Sequence, residues 1–344
     1  MSRVRLTYEK ISLKLINPFR LSYGVSEERQ AFWLRLENDQ GWGEGTIPPY
    51  YHIDDAEMRA CWDKAACSRL PFPDDPAGIE AWVGREGPAP ARTALELALH
   101  DRIARQRQVP LFELLGLPKP VPQPTSFTIA IDTPEAMAAM ALKVRDFPVI
   151  KVKLGSEDDR SRLAAIRAAR PDVRLRVDAN AGWTFEGARA LMRSLEEFNL
   201  ELIEQPLPKE EIEGMGNLQQ ETSIPIVADE SVQTLEDVER LGKAGVAGIN
   251  LKLMKVGGLS AALRILKLAK AFNMKVMLGC MIETSLGTTA MAHLSGCADW
   301  LDLDAPMLIS NDPFEGLTYS GHAMIHLPER PGIGVLLKTR PEEK

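Results

Sequence analysis

The hydrophobic pattern of the chain changes character near residue 120. Before that point two stretches alternate apolar and polar positions, RLTYEKISLKL (5–15) and QAFWLRLEN (30–38), and read as paired strands. The glycines of DQGWGEG (39–45) predict a turn. ARTALELALHDRIARQRQ (91–108) repeats its apolar residues at helical spacing. LPKPVPQP (117–124), with proline at every second position, breaks that pattern and marks a boundary.

Beyond the boundary, strand and helix patterns alternate. SFTIAI (126–131), VIKVKLG (149–155), RLRVDAN (174–180), LELIEQP (200–206), IPIVADES (224–231), GINLKLMK (248–255), KVMLGC (275–280) and WLDLDAP (300–306) are the expected strands. Helical stretches such as 158–170, 184–198 and 258–272 separate them, and the last strand is followed by a short helix at most. Eight strand–helix steps about 24 residues apart imply a parallel sheet closed into a barrel. The expected fold class is therefore α/β: a (β/α)8-type barrel with an α+β N-terminal capping domain. Residues 1–120 are assigned to the cap and 121–310 to the barrel. The Pro/Gly-rich tail, 311–344, is expected to return to the cap.

Composition narrows the partners. The 344 residues are 45% hydrophobic and 26% charged, the balance of a globular enzyme. A net charge of −7 argues against nucleic acid, which wants a basic footprint. No apolar run approaches the roughly 18 residues of a membrane span. MSRVRLTYEK lacks the apolar core of a secretion signal. The four cysteines form no CxxC pair and no zinc spacing. The expectation is a cytoplasmic protein with reduced thiols.

The chemistry lies at the strand ends, where barrels of this kind build their active sites. Asp178, Glu204 and Asp229 close three consecutive strands, which lie about 4.8 Å apart in a sheet. Carboxylates so placed converge, and they repel unless a cation joins them. All-oxygen ligation suits Mg²⁺, or Mn²⁺, rather than zinc. N-caps or surface acids are the alternative for any one of them. Lys151 and Lys153 share a strand face by alternation, and Lys252 lies on the strand opposite. Lys153 and Lys252 then flank the metal as acid and base. Lys151, the second ammonium, is expected to help lower its neighbour's pKa. The alternative for each lysine is a salt bridge to the acids. A metal that stabilises an enediolate, with a base on each face, allows proton removal from one side and return from the other. A Schiff-base lysine on strand six, or a barrel that only binds, are the competing readings.

These residues resemble the enolase superfamily, and the order KxK, DxN, ExP, DE, K resembles its muconate-lactonizing subgroup. No histidine stands on strand seven, and the five histidines are read as structural or surface groups. Asp302 and Asp304 resemble the Asp-x-Asp pair with which dipeptide epimerases hold the substrate's α-ammonium group. The resemblance implies an isomerase that uses one Mg²⁺ per subunit, forms a homo-oligomer and epimerises the C-terminal residue of a dipeptide. The alternative is an N-acylamino-acid racemase, an o-succinylbenzoate synthase or a muconate-type cycloisomerase. Asn180, Glu230 and Asn250 are expected to orient the ligands and lysines. Thr128 and Ile282 are expected to line the substrate, with Glu283 weighed beside them. Two cap loops, 18–29 and 48–54, are expected to choose the side chain. Tyr23 stands where alanyl-glutamate epimerases carry a basic residue, which leans away from an acidic side chain. Glu27 and Glu28 raise a cationic one.

Overall fold

The computed structural model describes residues 6–22, 24–36 and 39–338. Three antiparallel strands, β1 (Leu6–Leu21), β2 (Gly24–Leu36) and β3 (Gly41–Thr46), form the cap sheet in that order. Alternation along β2 divides two cores. Phe32, Leu34 and Leu36 pack into the cap, while Trp33 joins the barrel core and meets Trp42 and Phe314 edge-on at 5.2 and 5.1 Å. The cap is completed by α1 (Asp55–Ala66), α2 (Ile79–Val83), α3 (Ala89–Arg107) and α4 (Leu111–Leu114).

Two expectations for the cap are corrected. GWGEG is β3, not a turn: its glycines serve contact rather than curvature. A Cβ on Gly41 would lie 2.1 Å from the Ala98 carbonyl oxygen, and one on Gly43 1.9 Å from that of Ala94. Every second strand residue thus faces every fourth residue of α3, and only glycine lets the two backbones meet. The supposed loop 18–29 is the outer end of the β1–β2 hairpin. Pairing breaks after Lys14 and resumes at Phe19↔Ser26 and Leu21↔Gly24. Pro18, which has no N–H to donate, lies in that break.

The second part alternates as the pattern predicts. It runs β4 (Phe127–Ile129), α5 (Pro134–Lys143), β5 (Val149–Lys153), α6 (Asp159–Ala169), β6 (Arg174–Asp178) and α7 (Phe185–Leu195). It continues with β7 (Leu200–Glu204), α8 (Ile212–Gln220), β8 (Ile226–Ala228), α9 (Leu235–Ala244) and β9 (Gly248–Leu251). A one-turn α10 (Leu253–Val256), α11 (Leu259–Ala271), β10 (Lys275–Gly279), α12 (Ser285–Ala292), β11 (Trp300–Asp302) and α13 (Ala305–Leu308) complete it. β4 to β11 form one parallel eight-stranded sheet in chain order. A bridge between Thr125 and Leu301, with Ser126 N–H donating to the Leu301 carbonyl at 3.2 Å, brings its two edges together. Most residues of the strands are buried, as a sheet covered on both faces requires, and the exceptions include Arg174 and Lys275 at the starts of β6 and β10.

The described part of the tail forms short pairs, β12 (Phe314–Glu315) with β15 (Leu336–Leu337) and β13 (Thr318–Ser320) with β14 (Met324–His326). It touches the cap where Lys14 N–H donates to Asn311 Oδ1 (2.8 Å) and Ile333 N–H to Asp101 Oδ1 (2.7 Å). It also touches the barrel, where Tyr319 Oη donates to the Leu303 carbonyl at 2.7 Å. Among the described residues no helix is long and apolar enough to cross a membrane, and Cys61, Cys67, Cys280 and Cys297 are free thiols.

Candidate active site

Parallel register lines up the charged strand ends. Lys153 pairs with Asp178, and Asp178 with Glu204. Asp229 follows β8 directly, and Lys252 follows β9 as the residue that opens α10. In the eight-strand ring β5 and β9 are four places apart, so Lys153 and Lys252 stand on opposite sides. The carboxylates of Asp178, Glu204 and Asp229 lie between them, buried, with one oxygen from each within 4.8 Å of the others. Gln205 helps to hold the third in place, its Oε1 accepting the Asp229 and Ser231 N–H groups at 2.8 and 3.2 Å.

The lysines and acids are interleaved. Lys153 Nζ donates to Asp178 Oδ2 at 2.6 Å and Lys252 Nζ to Asp229 Oδ2 at 2.7 Å. Lys151 reaches three acids at once, Asp178 (2.9 Å), Glu204 (2.7 Å) and Asp302 (2.8 Å). A fourth lysine, Lys255, contacts the Asp229 carboxylate and backbone oxygen and donates to the Asn250 carbonyl at 2.8 Å. The sequence reading missed it, because it lies beyond the strand in α10. Its one signal was KLMK: a lysine three residues after Lys252, in a sequence that turns from strand into helix.

Electrostatics follow from this crowding. Burial alone would raise Asp178 and Asp229, but the lysines beside them hold both well below the usual carboxylate range. Glu204, buried and next to both, is pushed well above it. Burial also favours neutral lysine, yet the surrounding carboxylates outweigh it. Lys151 and Lys252 are both held above their ordinary value, Lys252 chiefly by Asp229. Burial wins only at Lys255, whose pKa is lowered. Glu230 is raised to about 7 and Asp304 to about 6, by burial and then by neighbouring carboxylates.

A charge count tests a metal against these residues. Six buried carboxyl groups, Asp178, Glu204, Asp229, Glu230, Asp302 and Asp304, surround four buried ammonium groups. Fully ionised, the set carries two negative charges in excess, which one divalent cation balances. Glu230 Oε2 and Asn250 Oδ1 are buried with no hydrogen-bond partner. Glu204 Oε2 meets only Lys151, outside hydrogen-bond alignment. Hard oxygen donors at this spacing fit Mg²⁺ or Mn²⁺.

The other expected positions fall as follows. Asn180 Nδ2 donates to Glu230 Oε1 (3.1 Å), and Asn250 Nδ2 to Glu204 Oε1 (2.8 Å). Thr128, Ile282, Asp302 and Asp304 line one cavity together with the lysines. Asp304 does not continue the strand alternation: its backbone is helical, and it opens α13. Asp302 is shared between Lys151 and Ser126 Oγ (2.5 Å), while Asp304 accepts the Thr128 N–H at 2.7 Å. Glu283 is buried but turned to the Met281 N–H at 2.8 Å. Tyr23 lies outside the described residues. The cavity, about 750 Å³ with its open mouth, is roofed by residues of the two cap segments expected to choose the side chain, Phe19, Leu21 and Arg29 of 18–29 and Tyr50 and Tyr51 of 48–54. Two of the five histidines, His100 and His293, are fully buried and bonded to the Glu96 and Ile333 carbonyls.

Fold and site together define an α/β-barrel protein with a capped mouth, a carboxylate triad and opposed lysines. The chain belongs to the family described as enolase C-terminal domain-like, which it matches over residues 135–340. It is 34% identical over 340 residues to an L-Ala-D/L-Glu epimerase of Bacteroides thetaiotaomicron, covering 97% of this chain and 88% of that protein. It is 35% identical over 347 residues to a hydrophobic dipeptide epimerase of Roseobacter litoralis, covering 97% and 99%. Among solved structures, a dipeptide epimerase from Cytophaga hutchinsonii, complexed with Mg and D-Ala-L-Val, aligns with a TM-score of 0.92 at 30% identity, covering 98% of this chain and 96% of that one.

Proposed function

We propose that the chain is a dipeptide epimerase, an isomerase that inverts the α-carbon of a dipeptide's C-terminal residue. The observation that carries this reading is the placement of Lys153 and Lys252 on opposite sides of one carboxylate triad. Asp178, Glu204 and Asp229 would hold Mg²⁺, which when bound supplies a Lewis acid for the charge of the enediolate. One lysine, as the free amine, takes the α-proton, and the other, as ammonium, returns a proton to the opposite face. Lys151 is the fixed charge of the set: three carboxylates keep it an ammonium, beside the place where negative charge develops. Asp304, with Asp302, offers the α-ammonium of the N-terminal residue a counter-charge. Full-length similarity to proteins named dipeptide epimerases supports the reading.

Proton exchange tests it. With Mg²⁺ in D₂O, a panel of L-Ala-L-Xaa dipeptides is expected to gain one deuterium at the C-terminal α-carbon, with inversion, and chelation of the metal to abolish it. Lys153→Ala and Lys252→Ala should each slow epimerisation by roughly 10²–10⁴-fold. Each variant should keep exchange from one epimer only, because it keeps one face. No exchange with any dipeptide, from protein shown to bind Mg²⁺, would discard the reading in favour of N-acylated amino acids or cycloisomerase substrates.

A further inference from the structure

The ring geometry says where the side chain of the inverted residue must go. This direction follows from the epimerase reading. The enediolate is planar, and its faces are addressed by Lys153 and Lys252, so its plane stands across the line between β5 and β9. Within that plane the carboxylate lies toward the triad, centred on β7. The nitrogen lies toward Asp302 and Asp304 at β11. β7 and β11 are also four places apart in the ring. The remaining substituent, the side chain, is left with the barrel axis. Downward the axis is filled: Lys151, two residues deeper on β5 than Lys153, sits there with Asp178, Glu204 and Asp302. The side chain must point up into the cap.

The cap surface it meets is apolar and aromatic. Phe19, Leu21, Ile47, Pro48, Tyr50 and Tyr51 supply most of the cap's share of the cavity wall, and Met281 and Ile282 continue it on the barrel rim. The wall is braced in advance of any ligand. The two tyrosine rings meet edge-on at 5.3 Å. Lys209 Nζ stands 5.6 and 5.5 Å from their centroids, and Tyr51 Oη donates to the Glu230 carbonyl at 3.3 Å. Among the described cap residues that line the cavity, Arg29 is the one charged group. Glu28 does not line it: its carboxylate is turned to Ser12 Oγ and Gln30. A cationic side chain would therefore find no counter-charge among the described residues of the cap wall. An acidic one would have Arg29 alone within an otherwise apolar surface, where a poorly paired carboxylate is costly to bury.

We infer that the substrate's C-terminal residue carries an apolar or aromatic side chain, received by the wall of Phe19, Leu21, Ile47, Tyr50 and Tyr51. Burying a side chain of that size is worth roughly 10- to 100-fold in kcat/KM.

Steady-state epimerisation of L-Ala-L-Phe, L-Ala-L-Leu, L-Ala-L-Glu and L-Ala-L-Lys by wild type, Arg29→Met and Tyr51→Ala tests the inference. The expected result is a kcat/KM for the Phe and Leu dipeptides at least about tenfold above those for Glu and Lys. Arg29→Met should widen the gap between Phe and Glu. Tyr51→Ala should narrow it by raising KM for the Phe dipeptide more than it lowers kcat. If the Glu dipeptide is fastest, and Arg29→Met removes that advantage, Arg29 is a carboxylate receptor and the inference is overturned. A fastest Lys dipeptide overturns it equally. Activity on any of the four leaves the epimerase reading standing, whereas inactivity on all four removes both.

Discussion

Lys151 and Lys153 are two residues apart on one strand and do different work. Both line the cavity, but Lys153 has a single acid partner, whereas Lys151, two residues deeper on the strand, has three. Sequence showed that both point one way, since strand side chains alternate, but not that the deeper one is neutralised by carboxylates from three other strands. Asp304 is similar. Its place beside Asp302 was legible, but its partner, the Thr128 backbone, belongs to a strand about 175 residues earlier in the chain. Held at about 6 by burial and by Asp302, Asp304 titrates near neutrality. Its carboxylate form is the one that pairs with an ammonium group, so protonation below pH 6 removes the counter-charge. KM for a reactive dipeptide should therefore rise as pH falls from 7 to 5, by up to about tenfold per unit once below the pKa. Asp304→Asn should raise KM at pH 7 and flatten that dependence. A profile unchanged by the substitution would show that Asp304 does not hold the ammonium.

At the scale of elements, two acids of the cap close the helix ends of the barrel. Glu96 of α3 accepts the Ser260 N–H in the first turn of α11 at 2.7 Å. Glu44 of β3 accepts the N–H groups of Thr284 and Gly287 at 2.9 Å each and the Thr284 hydroxyl, capping α12 from the other part of the molecule. The segment it anchors, between β10 and α12, carries Met281 and Ile282 into the cavity wall. Glu44→Gln replaces one acceptor with a donor facing donors, which costs about 1–3 kcal/mol for a buried group. Thermal melts should show that loss of stability. KM for an apolar dipeptide should rise several-fold with kcat nearly kept, because the wall loosens while the lysines stay. An equal fall in kcat, with KM unmoved, would contradict a role confined to the wall. GWGEG gave no sign of this function. Its glycines read as a turn, because their other use, contact with α3, depends on a helix roughly 50 residues away.

The whole molecule depends on its two buried histidines being neutral. His100 and His293 are each depressed from 6.5 to about 4, by burial. His293 also ties three regions together, accepting the Phe112 N–H at 3.3 Å and donating to the Ile333 carbonyl at 3.1 Å. As pH falls from about 6.5 toward 4, the unfolded chain takes up these protons and the folded protein does not, so stability is lost across that window. Each histidine contributes about 2 kcal/mol of that loss between pH 7 and pH 5. Urea unfolding of wild type and His293→Gln at the two pH values should show the variant less stable at pH 7 but less sensitive to acid. A pH slope identical in the two would exclude His293 as a source. The sequence by itself determined the succession of strands and helices, the barrel they imply, and the acids and lysines at the strand ends. Those follow from local periodicity and from a ring whose order is chain order. Only the tertiary structure decided which lysine is paired to which acid, that Lys255 joins them, that the cap's glycine-rich strand lies flat on α3, and that the cavity's roof is aromatic. Each of these depends on groups distant in the chain meeting at contact range, and no local pattern encodes that.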